Sequence, residues 1–172
     1  MRNIELKARY DNLELARKIA EEIGATWTAQ LRQIDTYFSV PQGKLKLREQ
    51  SGSPAQLISY YRPAQIEARP SDYLIYHSQN PGELHAVLRQ VLSVEYVVEK
   101  ERILFLWQNV RIHLDSVRGL GDFIEFEAVI SDIDDESVSY PRIQFLQTRF
   151  GIAKDQLMSD GYLELLKRSF ES

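Results

Sequence analysis

Over much of the chain apolar and polar residues alternate with a period of two, as in strands whose two faces meet different surroundings. In the first such run Ile4, Leu6, Ala8 and Tyr10 share one face, and Glu5, Lys7 and Arg9 share the other. A later run sets Leu45 and Leu47 against Lys44, Lys46 and Arg48. Val110, Ile112 and Leu114 oppose Arg111, His113 and Asp115, and Ile124, Phe126, Ala128 and Ile130 oppose Glu125 and Glu127. The pattern predicts about eight strands, starting near Arg2, Trp27, Lys44, Gln56, Asp72, Ser93, Leu104 and Asp122. Lys100 and Arg102 then share a face at the end of the sixth, and Arg62 closes the fourth.

Four segments carry helical punctuation instead. From Asp11 to Ile23 the apolar positions Leu13, Ala16, Ala20 and Ile23 recur at helical spacing, with Asp11 as cap, Glu14 three residues on and Gly24 as the stop. A second helix is expected from Asn80, with Pro81 in the first turn and Leu84, Val87, Leu88 and Val91 as its stripe. A third is expected from Pro141 to Phe150, and a fourth from Ser159 to Phe170. Many strands, few helices and tight turns such as Gly119-Leu120-Gly121 predict a mainly β, α+β fold. Its expected form is a closed eight-stranded antiparallel barrel, a tunnel with the helices packed outside, as a single domain over residues 1–172.

Composition narrows this picture. With 172 residues, 44% hydrophobic and 27% charged, the chain is expected to be globular with a sizeable core. The net charge of -4 argues against nucleic acid or anionic membrane as a partner, so any anion site is a local concentration of Lys and Arg. There is no cysteine, which excludes disulfides, thiolate metal sites and a cysteine nucleophile. The first residues already alternate as a strand and lack an apolar secretory core, and no run is long enough to span a bilayer; a cytoplasmic location is expected. Oligomeric state is not readable, and a homodimer stays open.

The charged columns change the picture most. A single polar face can simply meet water, but Lys44, Lys46 and Arg48 are unbroken by Thr, Ser or Gln, and the acids gather at Glu5, Asp115, Glu125 and Glu127. Amphipathic helices can cover the apolar columns, which turns the charged ones inward. A lumen carrying Lys7, Arg9, Lys46, Arg48, Arg62, Lys100, Arg102 and Arg111 calls for a multiply charged anion, because unpaired buried charge is costly. Arg matches phosphate oxygens with a planar fork and Lys with a point charge. Carboxylates beside a phosphate need a divalent cation between them, and Glu5, Glu125 and Glu127 offer hard oxygen ligands for Mg²⁺ or Mn²⁺.

The same residues resemble a known family. Asn3-Ile4-Glu5-Leu6-Lys7-Ala8-Arg9 resembles the opening strand of the CYTH domain, whose pattern is Glu-x-Glu-x-Lys. Asp35-Thr36-Tyr37-Phe38, Lys46-Leu47-Arg48-Glu49, Tyr60-Tyr61-Arg62-Pro63, Lys100-Glu101-Arg102 and the stretch from His113 to Glu127 resemble its later segments, in order. The resemblance implies a triphosphate tunnel metalloenzyme acting on ATP, thiamine triphosphate or inorganic triphosphate with Mg²⁺ or Mn²⁺, closest to the class IV adenylyl cyclases. It implies that Lys7, Arg48, Arg62, Lys100 and Arg102 bind the triphosphate and that Glu5, Glu125 and Glu127 hold metal. It also implies that Asp115 stands near the reacting end, acting in catalysis with Lys7. Asn3 departs from the family pattern, which has Glu there.

Other residues are read more plainly. Arg9 and Arg111 can also serve to neutralise neighbouring acids, and Glu127 can be a rim carboxylate. His113 is expected to be a hydrogen-bonded structural histidine, His77 and His85 surface residues, and Trp27 and Trp107 part of the barrel exterior. Three functions stay open: a cyclase turning ATP into cyclic AMP and pyrophosphate, a triphosphatase attacking the terminal phosphate, and a non-catalytic module that binds a polyphosphate or nucleotide.

Overall fold

The computed structural model describes residues 1–171 other than Ser51, Arg62 and Ala64, with nothing described of the side chains of Phe170 and Glu171. Arg62, expected among the phosphate-binding cations, lies outside the described residues. Eight strands close into one barrel: β1 (Arg2–Arg9), β2 (Thr26–Phe38), β3 (Lys44–Gln50), β4 (Ala55–Tyr61), β5 (Arg69–Ser78), β6 (Val94–Trp107), β7 (Val110–Val117) and β8 (Gly121–Val129). Their order around the barrel is β1-β5-β4-β3-β2-β6-β7-β8, and β8 pairs back onto β1. Every neighbouring pair is antiparallel.

The columns face as the alternation predicts. Ile4, Leu6 and Ala8 of β1, Val110, Ile112 and Leu114 of β7, and Ile124, Phe126 and Ala128 of β8 form one buried cluster on the outer surface. Helices α1 (Leu13–Glu22) and α3 (Glu136–Arg149) cover it with Ala16, Ala20, Ile143 and Leu146. Burying each such large side chain contributes about 1.5–3 kcal/mol, so a one-residue slip of β1, which would turn Ile4 and Leu6 into the lumen, is strongly disfavoured. Trp107 stacks on Phe145 of α3 at 5.2 Å between ring centroids, while Trp27 is half exposed on the outer surface.

Helix ends show where local chemistry differed from expectation. Asn12, not Asp11, caps α1, its side chain accepting from the Leu15 amide at 2.9 Å; both residue types cap equally well, so sequence alone does not choose. Gly24, at φ +77°, ends the helix as expected, with the Ala25 amide donating to the Ala20 carbonyl at 2.9 Å. Asn80 caps α2 (Pro81–Val91) through the Glu83 amide. Only half of the α2 stripe is covered: Leu84 and Leu88 pack on Phe38, Leu47 and Ala55, whereas Val87 and Val91 are exposed. α3 begins a turn earlier than expected because Asp135 caps it, leaving Pro141 inside the helix rather than at its start.

Two further corrections bear on the site. Leu104 does not open a strand: β6 runs unbroken to Trp107, and the hairpin to β7 is made at Gln108 (φ 52°) and Asn109. Lys100 and Arg102 therefore sit mid-strand. They share a face as expected, Lys100 and Arg102 pointing inward and Glu101 out. The fourth helix, α4 (Tyr162–Glu171), is not an outer layer. Tyr162, Leu163 and Leu166 pack on Tyr37, Val98, Val117 and Phe123, inward-facing residues at one end of the barrel, so α4 plugs that end. Among the described residues no helix is long and apolar enough to cross a membrane.

Candidate active site

The lumen holds a cavity of about 500 Å³, the size of a small-molecule site. Strand parity delivers its walls. β1 brings Glu5 and Lys7, β8 brings Glu125 and Glu127, β7 brings Arg111 and His113, β6 brings Lys100 and Arg102, and β3 brings Lys46 and Arg48. These are the residues the charged columns singled out, now on one surface.

The basic wall is organised by a residue the sequence reading left without a role. Asp35 of β2, fully buried, receives Lys46 Nζ at 3.1 Å, Lys100 Nζ at 3.0 Å, and Arg48 through Nε and Nη2 at 2.7 and 2.8 Å. Among the described residues, one carboxylate thus gathers three cations. Burial pushes its pKa up, but Arg48, Lys100 and Lys46 together outweigh burial and hold it well below the usual range. The cations bear the opposite strain. Burial, reinforced by Arg48, pushes Lys46 down to about 8, and burial pushes Lys100 well below its ordinary value despite Asp35. A polyanion arriving in the lumen relieves that excess of positive charge.

Asp115 also sits elsewhere than expected. It is fully buried and absent from the cavity wall, held by Arg102 Nε and Nη2 at 2.6 Å each and by the Tyr162 hydroxyl, which donates at 2.6 Å. Its geometry is that of an anchor for Arg102. Tyr162, missed from sequence because no strand alternation points to it, places its ring 3.6 Å from Lys7 Nζ, a cation–π contact. Arg9 leaves the lumen: it is exposed, donates to the Leu120 carbonyl at 3.2 Å and lies over the Phe123 ring.

Across the lumen runs an acidic wall. Glu5 pairs in register with Glu127, and Lys7 with Glu125. Glu125 meets Lys7 at 3.2 Å, Arg102 at 3.2 Å and His113 Nδ1 at 3.3 Å. Burial raises its pKa, but Lys7, His113 and Arg102 hold it well below the usual range. Glu127 is also held low, by His113 and Arg111 against burial. His113 is lowered by burial and by Arg102, against its hydrogen bond to Glu125. Asn3 donates to Glu127 at 2.6 Å and accepts from the Tyr73 hydroxyl at 3.2 Å.

The donor set fits a hard divalent cation, with a condition. Three carboxylates face one wall, yet among the described residues no three of His, Asp or Glu form a ready cage. Mg²⁺ and Mn²⁺ suit such a wall, since they commonly take one or two carboxylates and complete their shell with phosphate oxygens and water. The wall therefore fits a cation that arrives with phosphate.

Away from the plug Arg111 and Glu127 keep the β7 and β8 side of the lumen charged, while the opposite wall is not. Leu31, Ile75 and Leu104 line it there with Gln33, Gln50, Gln56 and an exposed His77, which belongs to the cavity rim rather than to a remote surface. Gln33 donates to Gln50 at 2.8 Å, and its own Oε1 is buried with no hydrogen-bond partner among the described residues. His85 is half-buried outside the lumen, edge-on to Phe38 at 6.0 Å between ring centroids.

Comparison with known proteins bears on this architecture. The CYTH domain pattern matches residues 1–162. A Methanocaldococcus jannaschii protein named "Putative adenylate cyclase MJ0240" is 21% identical over 175 residues, covering 96% of this chain and 98% of its own. The PH1012 protein of Pyrococcus horikoshii OT3 superposes with a TM-score of 0.85 at 24% identity, over 95% of this chain and 98% of that one. HpAC1 from Hippeastrum, named as an adenylyl cyclase candidate with a dominant triphosphatase activity, superposes with a TM-score of 0.67 at 13% identity, over 97% and 96% of the two chains.

Proposed function

Because the chain belongs to the CYTH domain family, we propose that its lumen binds an organic triphosphate together with Mg²⁺ or Mn²⁺ and converts ATP to cyclic AMP and pyrophosphate. The observation that carries this is the segregation of charge: Lys46, Arg48 and Lys100 share one buried carboxylate, while Glu5, Glu125 and Glu127 line the facing wall. Lys100, Arg48, Lys46, Arg102 and Lys7 hold phosphate oxygens. An entering anion competes with Glu125 for Lys7 and Arg102, which stay anchored on Tyr162 and Asp115, and Glu125 with Glu5 would then be the residues that hold a divalent cation. A divalent cation bound there supplies neutralisation of charge on the phosphates. Asp115 and Tyr162 fix Arg102 and Lys7 so that the phosphate chain meets them in one register.

An uncharged stretch of the wall, with Leu31, Ile75 and Leu104, offers room for the organic part of a nucleotide beside the phosphates. With the triphosphate held, the ribose 3′-hydroxyl attacks the α-phosphorus and pyrophosphate leaves. A triphosphatase is the second reading, favoured by the full-length likeness to HpAC1; there water attacks the terminal phosphorus in the same charge framework.

Product analysis separates the readings. The protein is incubated with Mn²⁺ or Mg²⁺ and, separately, ATP, thiamine triphosphate and inorganic triphosphate. Cyclic AMP with pyrophosphate is the expected product; free phosphate from any of the three supports the triphosphatase, and binding without turnover overturns both. Glu125→Gln is expected to abolish the metal-dependent turnover while leaving the circular dichroism spectrum unchanged, and full activity in that variant removes Glu125 from the metal site.

A further inference from the structure

Glu125 and Glu127 stand two apart on the same face of β8, yet their partners differ: both lie near His113, at 3.3 and 3.8 Å, and each meets a cavity-wall cation, but Glu127 alone is bonded to Asn3. The partners of Glu125 are Lys7, Arg102 and His113, of which the first two are cations on the cavity wall for which a triphosphate can compete. Glu127 is gripped from behind as well. Its Oε1 receives the Asn3 amide at 2.6 Å, and its Oε2 meets Arg111 Nη1 at 3.2 Å.

Asn3 cannot follow a phosphate. It is 1% exposed and is not on the cavity wall, and its Oδ1 is taken by the Tyr73 hydroxyl at 3.2 Å. That second bond also fixes the orientation of the amide, because the NH₂ group must then point at the carboxylate. A carboxylate at position 3 would put two negative groups at hydrogen-bonding distance, an arrangement that demands a proton or a cation between them. The neutral amide removes the demand and satisfies Glu127 directly.

We infer that Asn3 is a positioning residue that holds Glu127 away from the metal, so that the acidic wall takes one divalent cation, on Glu125 and Glu5, while Glu127 orients Arg111. This rests on the metal-dependent reading above. It assigns the two β8 carboxylates different work: Glu125 changes partners when substrate arrives, and Glu127 keeps its bond to Asn3 whether or not Arg111, itself on the cavity wall, turns to the anion.

The test is Mn²⁺ binding to the whole protein in the presence of a saturating non-hydrolysable triphosphate analogue, followed by electron paramagnetic resonance and independent of turnover. Wild type is expected to bind one Mn²⁺ per chain. Glu127→Gln should change that affinity by no more than about threefold, Glu125→Gln should weaken it by more than about tenfold, and Asn3→Asp should create a second site or tighten binding by about tenfold or more. Equal losses in Glu125→Gln and Glu127→Gln overturn the inference, and so does a folded Asn3→Asp with unchanged stoichiometry and affinity. Because Asn3 is buried, the Glu127→Gln comparison decides the matter if Asn3→Asp does not fold. No Mn²⁺ bound by any variant overturns the metal reading itself, and this inference with it. Turnover by a wild type that binds one Mn²⁺, with the two glutamine variants indistinguishable, leaves the proposed function standing and sinks this inference alone.

Discussion

Replacing Asp35 with Asn removes the one carboxylate shared by Lys46, Arg48 and Lys100 while keeping the shape of the side chain. Arg48 stays charged without its carboxylate, and Lys46 and Lys100 lose the group that raises their pKa against burial. Breaking a buried pair by removing one partner costs about 3–5 kcal/mol, because the surviving charge stays buried. For a chain of this size, each 1 kcal/mol moves the melting temperature by about 2–4 °C, so a fall of roughly 6–20 °C is expected. The variant also has more to gain from a polyanion. Inorganic triphosphate at about 100 times its dissociation constant stabilises by about 2.7 kcal/mol in any protein that binds it. In Asp35→Asn the anion additionally takes the place of the lost carboxylate, so at a fixed triphosphate concentration its thermal shift should exceed that of wild type. Differential scanning fluorimetry with and without inorganic triphosphate and Mg²⁺ measures both. A fall under about 3 °C refutes the reasoning about stability. A ligand shift smaller than wild type refutes the idea that Asp35 stands in for phosphate.

Two further outcomes follow from the same groups. Lys46, held near pH 8 in the free protein by burial and Arg48, is drawn back towards its ordinary value by a bound anion. Binding therefore takes up protons, and the affinity for inorganic triphosphate should fall as pH rises from 8 to 10, by up to about tenfold per unit for each proton linked; isothermal titration in buffers of different ionisation enthalpy reads the uptake, and a flat affinity across that range contradicts it. In the unliganded protein the sign reverses. The unfolded state binds more protons than the native one between pH 8 and the ordinary lysine value, so the Lys46 contribution makes folding stability rise through that window. Tyr162→Phe removes the donor to Asp115 at 2.6 Å and keeps the ring over Lys7, and urea unfolding should show a loss of about 1.5–3 kcal/mol, with an unchanged midpoint counting against the anchor role.

The barrel and its inward charge were legible because period-two alternation records both faces of a strand at once. Ile4 and Leu6 against Glu5 and Lys7 fix which way β1 faces as soon as something apolar is available to cover it, and α1 and α3 supply that cover. One strand boundary differs: Lys100-Glu101-Arg102 looked like the end of a strand and is the middle of β6, where charged residues can stand on both faces when one face is a polar lumen. The plug was hidden for a different reason. The α4 pattern shows that one side of the helix is buried, but an amphipathic helix reads the same whether it covers a barrel wall or closes its end.

The site was legible as a set of charges and not as a set of pairings. Lys46, Arg48, Lys100, Glu125 and Glu127 fall in the lumen as their columns require. Which carboxylate meets which cation depends on register between strands far apart in sequence. Asp35 and Lys100 are 65 residues apart and Tyr162 and Asp115 are 47 apart, so both anchors emerged from the barrel geometry alone. Asp115 shows the consequence: its column is right, but its register places it behind Arg102 and under Tyr162 rather than in the open lumen.

The central claim is that the charge-segregated lumen is a triphosphate site, and isothermal titration of inorganic triphosphate with Mg²⁺ present tests it most directly, on wild type and on Lys100→Ala. The account predicts one saturable site per chain, weakened by roughly 30-fold or more when Lys100, buried in the basic wall, is truncated. The absence of saturable binding, or an affinity that Lys100→Ala leaves unchanged, contradicts it.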